Sequence, residues 1–185
     1  RGIEPQLLKD YTKQVHYQVR RDWEDHHFFG ISIKNVSGGW ELRSTQGKTK
    51  LGTSDLTELG NPNAKEIIVF EGMTDMLSFL QIQRDNKEVE DRYKLVCLNS
   101  VTNTHKFVER YQDFSGEIKL CLDADHEGQK ATLQIQQFFN HAQDIREHYG
   151  IYEGKEGAKD LNQALMRSKG LEPEMQQKKN RDLGR

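Results

Sequence analysis

Two apolar runs constrain this chain more than any other feature. Ile67-Ile68-Val69-Phe70 leads into Glu71-Gly72-Met73-Thr74-Asp75, and Ile118-Lys119-Leu120-Cys121-Leu122 leads into Asp123-Ala124-Asp125-His126-Glu127-Gly128. Each reads as a buried strand, an acid-and-glycine turn, then a helix start. Strands alternating with helices imply a mostly parallel sheet with helices on both faces. In open sheets of this kind ligands bind outside the carboxyl ends of the strands. Two such ends side by side would gather Glu71, Asp75, Asp123 and Asp125 around one point. Crowded carboxylates repel unless a cation lies between them, and an oxygen-only donor set suits Mg²⁺ or Mn²⁺. The expectation is a divalent-metal site serving phosphoryl transfer.

The spacing adds detail. Asp123 and Asp125 lie two apart, so on a strand they face one side and could hold one metal or bridge two. Glu71 and Asp75 lie four apart across a strand-to-helix turn, which puts Asp75 in the first helical turn. Gly72 and Gly128 let the backbone turn sharply and let a phosphate come close. One such loop alone is equally well a structural N-cap; two, each on a buried strand and in this order, are harder to reach by chance.

Around these loops the chain divides into three. In residues 1–64, the period of Leu7, Leu8, Tyr11 and Val15 predicts a helix from Arg1 to about Arg21. Phe28–Lys34 and Trp40–Arg43 alternate about Ser37-Gly38-Gly39 as a hairpin, and Gly47–Ser54 follows as a basic loop or short strand. Gly60-Asn61-Pro62-Asn63 breaks the pattern and marks a subdomain boundary. Residues 65–150 hold three strand–helix units and a weak fourth strand. The helices fall at Met73–Arg84, His105–Gln112 and Gly128–Asn140, the last burying Ala131, Leu133, Ile135, Phe138 and Phe139. The further strands are Lys94–Asn99 and a weak fourth at Asp144–Tyr149. In residues 151–185, Asp160 caps a helix at Leu161–Ser168, and the polar 171–185 frays or extends it.

A net charge of -2 excludes nucleic-acid binding by overall charge, so any such contact rests on a local patch. Lys48 and Lys50 read equally well as a solvated loop or as its phosphate contacts, and in the second reading Arg20, Arg21, Lys34 and Arg43 extend the same positive face. Cys97 and Cys121 sit in apolar runs without a CxxC pair, which predicts no zinc within the chain and a reducing, cytoplasmic setting. There is no signal peptide and no run long enough to span a membrane. The chain opens without an initiator Met, as a fragment of a longer protein would.

Glu71-Gly72-x-x-Asp75 followed by Asp123-x-Asp125-x-x-Gly128 resembles the Toprim domain, shared by bacterial-type primases, type IA and II topoisomerases and some nucleases. The similarity spans roughly Lys65 to Tyr149. The surroundings resemble the catalytic core of bacterial (DnaG-type) primases: Arg1-Gly2-Ile3 its start, Phe28–Arg43 its N-terminal hairpin, and Lys48-x-Lys50-Leu51-Gly52-Thr53-Ser54 its basic segment. Gly157-Ala158-Lys159-Asp160-Leu161-Asn162 is closer still to primase-like proteins of mobile elements. Met73 and Thr74 depart from the aromatic and hydrophobic residues usual in the first loop, and His126 from the usual basic residue.

The resemblance implies a Toprim α/β fold, a mostly parallel four-stranded sheet flanked by helices, with a small N-terminal α+β subdomain. It implies a DNA primase, a metal-dependent nucleotidyltransferase that makes RNA primers on single-stranded DNA in DNA replication. Glu71, Asp123 and Asp125 would be catalytic and would bind Mg²⁺ (or Mn²⁺) with Asp75. Lys34, Arg43, Lys48, Lys50 and Lys159 would contact nucleic acid or nucleotide. Ribonucleoside triphosphates, an upstream zinc-binding domain and a helicase are the implied partners. The alternatives are a Toprim module that binds metal and nucleic acid but is inactive alone, or a Toprim nuclease.

Overall fold

A computed structural model describes residues 1–21, 23–88 and 92–171 of the chain. Helix α1 (Pro5–Tyr11) precedes four strands, β1 (Lys13–Arg21), β2 (Glu24–Lys34), β3 (Trp40–Ser44) and β4 (Gly47–Leu51), which form an antiparallel sheet in chain order. The second sheet is built from β5 (Thr57–Gly60), β6 (Glu66–Phe70), β7 (Lys94–Cys97), β8 (Glu117–Cys121) and β9 (Gln143–Asp144), in the order β5-β7-β6-β8-β9. Its pairings are parallel except for β5, which runs against β7. Helices α2 (Met73–Asp85), α3 (Thr104–Tyr111), α4 (His126–Phe138) and α5 (Leu161–Ser168) cover it. The architecture is a mixed α/β fold, a parallel-rich sheet flanked by helices with an N-terminal antiparallel subdomain.

The period-2 alternation of β6 splits the core in two. Ile68 and Phe70 face α1, α2 and α5, packing with Leu7, Met76 and Leu161. Ile67 and Val69 face α3 and α4, packing with Phe107, Ala131 and Ile135. α2 lies between the sheet and the outer helices, so its polar side chains are buried as well as its apolar ones. Gln81 accepts from Glu4 N at 2.8 Å, and Ser78 Oγ accepts from Asn162 Nδ2 at 3.0 Å. Both bonds satisfy a buried polar group and fix a neighbouring segment against α2.

Several local expectations give way to tertiary pairing. The helix drawn to Arg21 stops at Tyr11, and Lys13–Arg21 is a strand paired with β2 from Lys13↔Ser32 to Arg21↔Glu24. Val15, Tyr17 and Val19 alternate with polar residues, and a β-ladder satisfies the backbone groups that a helix would have satisfied. The fourth strand shrinks to β9, and Arg146–Tyr149 forms a 3-10 turn ending at Gly150, whose φ of 69° needs a glycine. On α4 the buried stripe is Gly128, Ala131, Thr132 and Ile135. Leu133 and Phe138 point away from it and are 61% and 70% exposed, leaving Phe139 to fill the core. Residues 172–185 lie outside the described residues, and with them the reading of a frayed or extended last helix. No helix among the described residues is long and apolar enough to cross a membrane.

Candidate active site

Parallel pairing brings the two acidic loops together. Phe70 at the end of β6 is in register with Cys121 at the end of β8, so Glu71 and Asp123 leave adjacent strands at the same edge. The second loop is pinned by its own helix. Asp125 is the N-cap of α4, its Oδ1 accepting from Gly128 N at 2.9 Å. A Cβ at Gly128 would run into the Asp123 carbonyl oxygen. Gly128→Ala is therefore expected to destabilise the chain by about 2–4 kcal/mol, because backbone, rather than a flexible side chain, would have to move. A denaturant midpoint matching wild type would contradict this.

A third segment closes the site. Ala124 N donates to Lys159 O at 2.7 Å, and Asp160 caps α5 by accepting from Gln163 N at 2.7 Å. Asp75 is 7% exposed and accepts from Asn162 N at 3.1 Å, which ties the first loop to α5. The charges act on one another. Burial, then Asp75, Glu71, Asp160 and Asp125, push the Asp123 carboxyl up to about 8. Burial and then Asp160 push Asp75 up to about 7. Burial and Asp125 raise Glu71, against the pull of Lys48. Asp160, read from sequence chiefly as a cap, thus shares the field of the other acids; its place in the Gly157–Asn162 segment was the available signal.

The donor chemistry fits a divalent cation. Glu71 Oε2 is buried without a hydrogen-bond partner, all of the acids offer oxygen, and their mutual repulsion is what a cation would relieve. Among the described residues no three His, Cys, Asp or Glu side chains already stand in a metal-enclosing group. Asp75, Asp125 and Glu71 each accept a backbone N–H, so Asp123 and the second oxygen of Glu71 retain the most free capacity to bind a cation.

The cations predicted from sequence occupy different places. Lys48 Nζ donates to the Asn99 carbonyl, bringing its charge within reach of Glu71 and Glu41. Arg43 is held against the first loop: its Nη2 lies 3.6 Å from where a Gly72 Cβ would be, and burial lowers its pKa while Asp75 and Glu41 raise it. Arg43 and Lys48, with Arg1, Ile3 and Thr74, line a cavity of about 690 Å³ beside that loop. Lys50 is exposed on β4 opposite Glu41. Lys34 is exposed at the β2–β3 turn. Lys159 is exposed with its Nζ 3.5 Å from Asp160. Asn99 was not anticipated. It is buried with φ 61°, and its side-chain amide donates to Asp55 O at 2.7 Å and Thr57 Oγ1 at 2.8 Å. Asn tolerates this left-handed backbone better than most residues, and here it presents its carbonyl to Lys48.

Residues 68–165 match the Toprim-like family model, and the chain belongs to the Toprim family. Residues 1–52 match a domain of unknown function, DUF8464. No curated protein matches the chain. Among solved structures it resembles the primase fragment of the bacteriophage T7 primase-helicase, at TM-score 0.59 and 18% identity, over 92% of this chain and 68% of that one. It also resembles the Aquifex aeolicus primase, solved as its zinc-binding and RNA polymerase domains, at TM-score 0.56 and 13% identity. That match covers 92% of this chain and 52% of the Aquifex chain, so the present chain spans about half the length of that solved chain. The shared feature is the fold: a Toprim protein whose structural neighbours are primase fragments.

Proposed function

We propose that the chain is the catalytic core of a primase-like, metal-dependent RNA polymerase acting on single-stranded DNA. The observation that carries this is Glu71: a half-buried carboxylate with one buried, unpartnered oxygen, repelled by Asp125 and attracted by Lys48. Such a site suits both a divalent cation and a phosphate. Glu71, Asp123 and Asp125 would hold Mg²⁺ or Mn²⁺, with Asp75 behind them. When bound, the ion supplies charge neutralisation at the reacting phosphate and a more acidic attacking hydroxyl. The chain's own groups position the reactants. Arg43 and Lys48 supply positive charge beside the first loop, and Gly128 lets the Asp123 backbone pack closely against the start of α4. By analogy with the T7 primase-helicase and the Aquifex primase, a helicase and a zinc-binding domain are the proposed partners.

A second reading, a Toprim module inactive alone, is favoured by the commitment of Asp75 to Asn162 N and by the lack of a ready-made acid triad among the described residues. Labelled ribonucleotide and labelled DNA, incubated in parallel with the full-length protein in Mg²⁺, separate the readings. Incorporation on a single-stranded template supports the primase core. Cut DNA without incorporation indicates a nuclease, and neither product indicates the binding module.

The cationic face has its own test. Lys48→Ala with Lys50→Ala is expected to weaken single-stranded DNA binding and to flatten its salt dependence. The log–log slope should fall by about 0.7 for each phosphate that is no longer neutralised. Isotherms at several salt concentrations measure this. An unchanged slope would leave both lysines without a phosphate role.

A further inference from the structure

Glu41 lies in the middle of β3, between Ile33 on β2 and Lys50 on β4. It is 2% exposed, and its Oε1 has no hydrogen-bond partner although Lys48, Arg43 and Lys50 all act on it electrostatically. Asn35 donates to the carboxyl, but leaving the buried Oε1 unmatched costs about 1–3 kcal/mol, more when it carries charge, so that oxygen calls for a further donor. Glu41 lines a cavity of about 360 Å³ with Lys48, Lys50, Ser54, Asn99 and Ser100. Lys48 lines the cavity beside the first acidic loop as well, so the two spaces share a wall. The carboxylate requires an N–H; the lysines, with the hydroxyls beside them, suit an anion. A nucleotide carries both, on its base and its phosphate.

We propose that this cavity holds one nucleotide, with Glu41 accepting N–H hydrogen bonds from the base and Lys50 holding its phosphate. Glu41 then selects bases by their edges. Guanine presents adjacent ring and amino N–H groups, and adenine and cytosine present an amino group. Thymine and uracil flank their single N–H with carbonyl oxygens that a carboxylate repels. Guanine is favoured most and thymine or uracil least. The inference rests on the proposed nucleic-acid role of Lys48 and Lys50 and adds base selection to it. The nucleotide can come from the single strand or from free nucleotide.

The test compares affinities of the full chain for a dT oligonucleotide, for the same oligonucleotide with one central guanine, and for GMP and UMP as competitors. Wild type is expected to prefer the guanine-bearing strand, or GMP over UMP, by about tenfold, the effect of one good charged base contact. Preference in the strand arm identifies bound single strand as the source, and preference in the competitor arm identifies free nucleotide. Glu41→Gln is expected to reduce the preference to within about twofold while keeping the dT affinity. Equal affinities in wild type overturn the proposal without recourse to a variant. So does a preference that survives Glu41→Gln, which would mean the carboxyl is satisfied within the protein, by Asn35. No binding to any strand or nucleotide would overturn the proposed function together with this inference, whereas dT binding without base preference overturns this inference alone.

Discussion

Glu71→Gln is expected to reduce ribonucleotide joining by about 10²–10³-fold while leaving single-stranded DNA affinity within about twofold of wild type. The magnitude is that of removing one preorganised electrostatic group from a reacting centre. The carboxamide keeps the shape of the side chain but removes the charge that would hold a cation beside the reacting phosphate. The loss should therefore appear in kcat rather than in template binding. The two effects separate because the cations assigned to the strand, Lys48 and Lys50, sit on β4 rather than on the acidic loop. Single-turnover incorporation read beside binding isotherms is the measurement. Full activity in Glu71→Gln would remove the acidic loop from the reaction, and parallel loss of DNA binding would show that Glu71 acts through the fold.

The second large effect is on stability. The Asp75 and Asp123 carboxyls stand near 7 and 8, above their ordinary value of 3.8, chiefly because burial disfavours the charged form. The folded chain therefore holds protons that the unfolded chain has released. Stability from these groups is complete below about pH 4 and is lost as pH rises through about 7 to 8. Without divalent metal, the melting temperature is expected to fall by about 5 °C between pH 6 and pH 8. Asp123→Asn should flatten that fall and raise stability at pH 8, since it removes a charge from among Asp75, Glu71, Asp160 and Asp125. Mn²⁺ should offset the fall in wild type and do so less in Asp123→Asn. Scanning calorimetry at three pH values, with and without Mn²⁺, reads all of this. Stability rising from pH 6 to pH 8 in metal-free wild type would show that the carboxylates are not in conflict.

The legible part of the molecule was that encoded in short periods. Ile67–Phe70 and Ile118–Leu122 are apolar runs too short for helices and bounded by glycine, and they became the adjacent central strands β6 and β8. Asp160 was readable as a cap because capping needs only a side-chain oxygen three residues before a free N–H. α5 follows from it, with its ends at Leu161 and Ser168. The misread elements depended on partners remote in sequence. Lys13–Arg21 fits a helical period as far as Val15, and its fate was settled by β2, whose Ser32 sits opposite Lys13. Leu133 and Phe138 looked like core residues because helical spacing alone does not say how wide the buried stripe is.

By itself the sequence determined the strand–loop–helix units and the acids at their ends, since apolar alternation and turn chemistry act over a few residues. Only the tertiary structure decided which charges meet. Parallel pairing of β6 with β8 set Glu71 beside the second loop, and the Ala124–Lys159 bond brought Asp160 to it. Packing of β3 and β4 against the Toprim edge carried Arg43 and Lys48 to the first loop and left Glu41 buried with a free oxygen. Electrostatic energy depends on separation and burial, and both are properties of the folded chain that no spacing along the sequence contains.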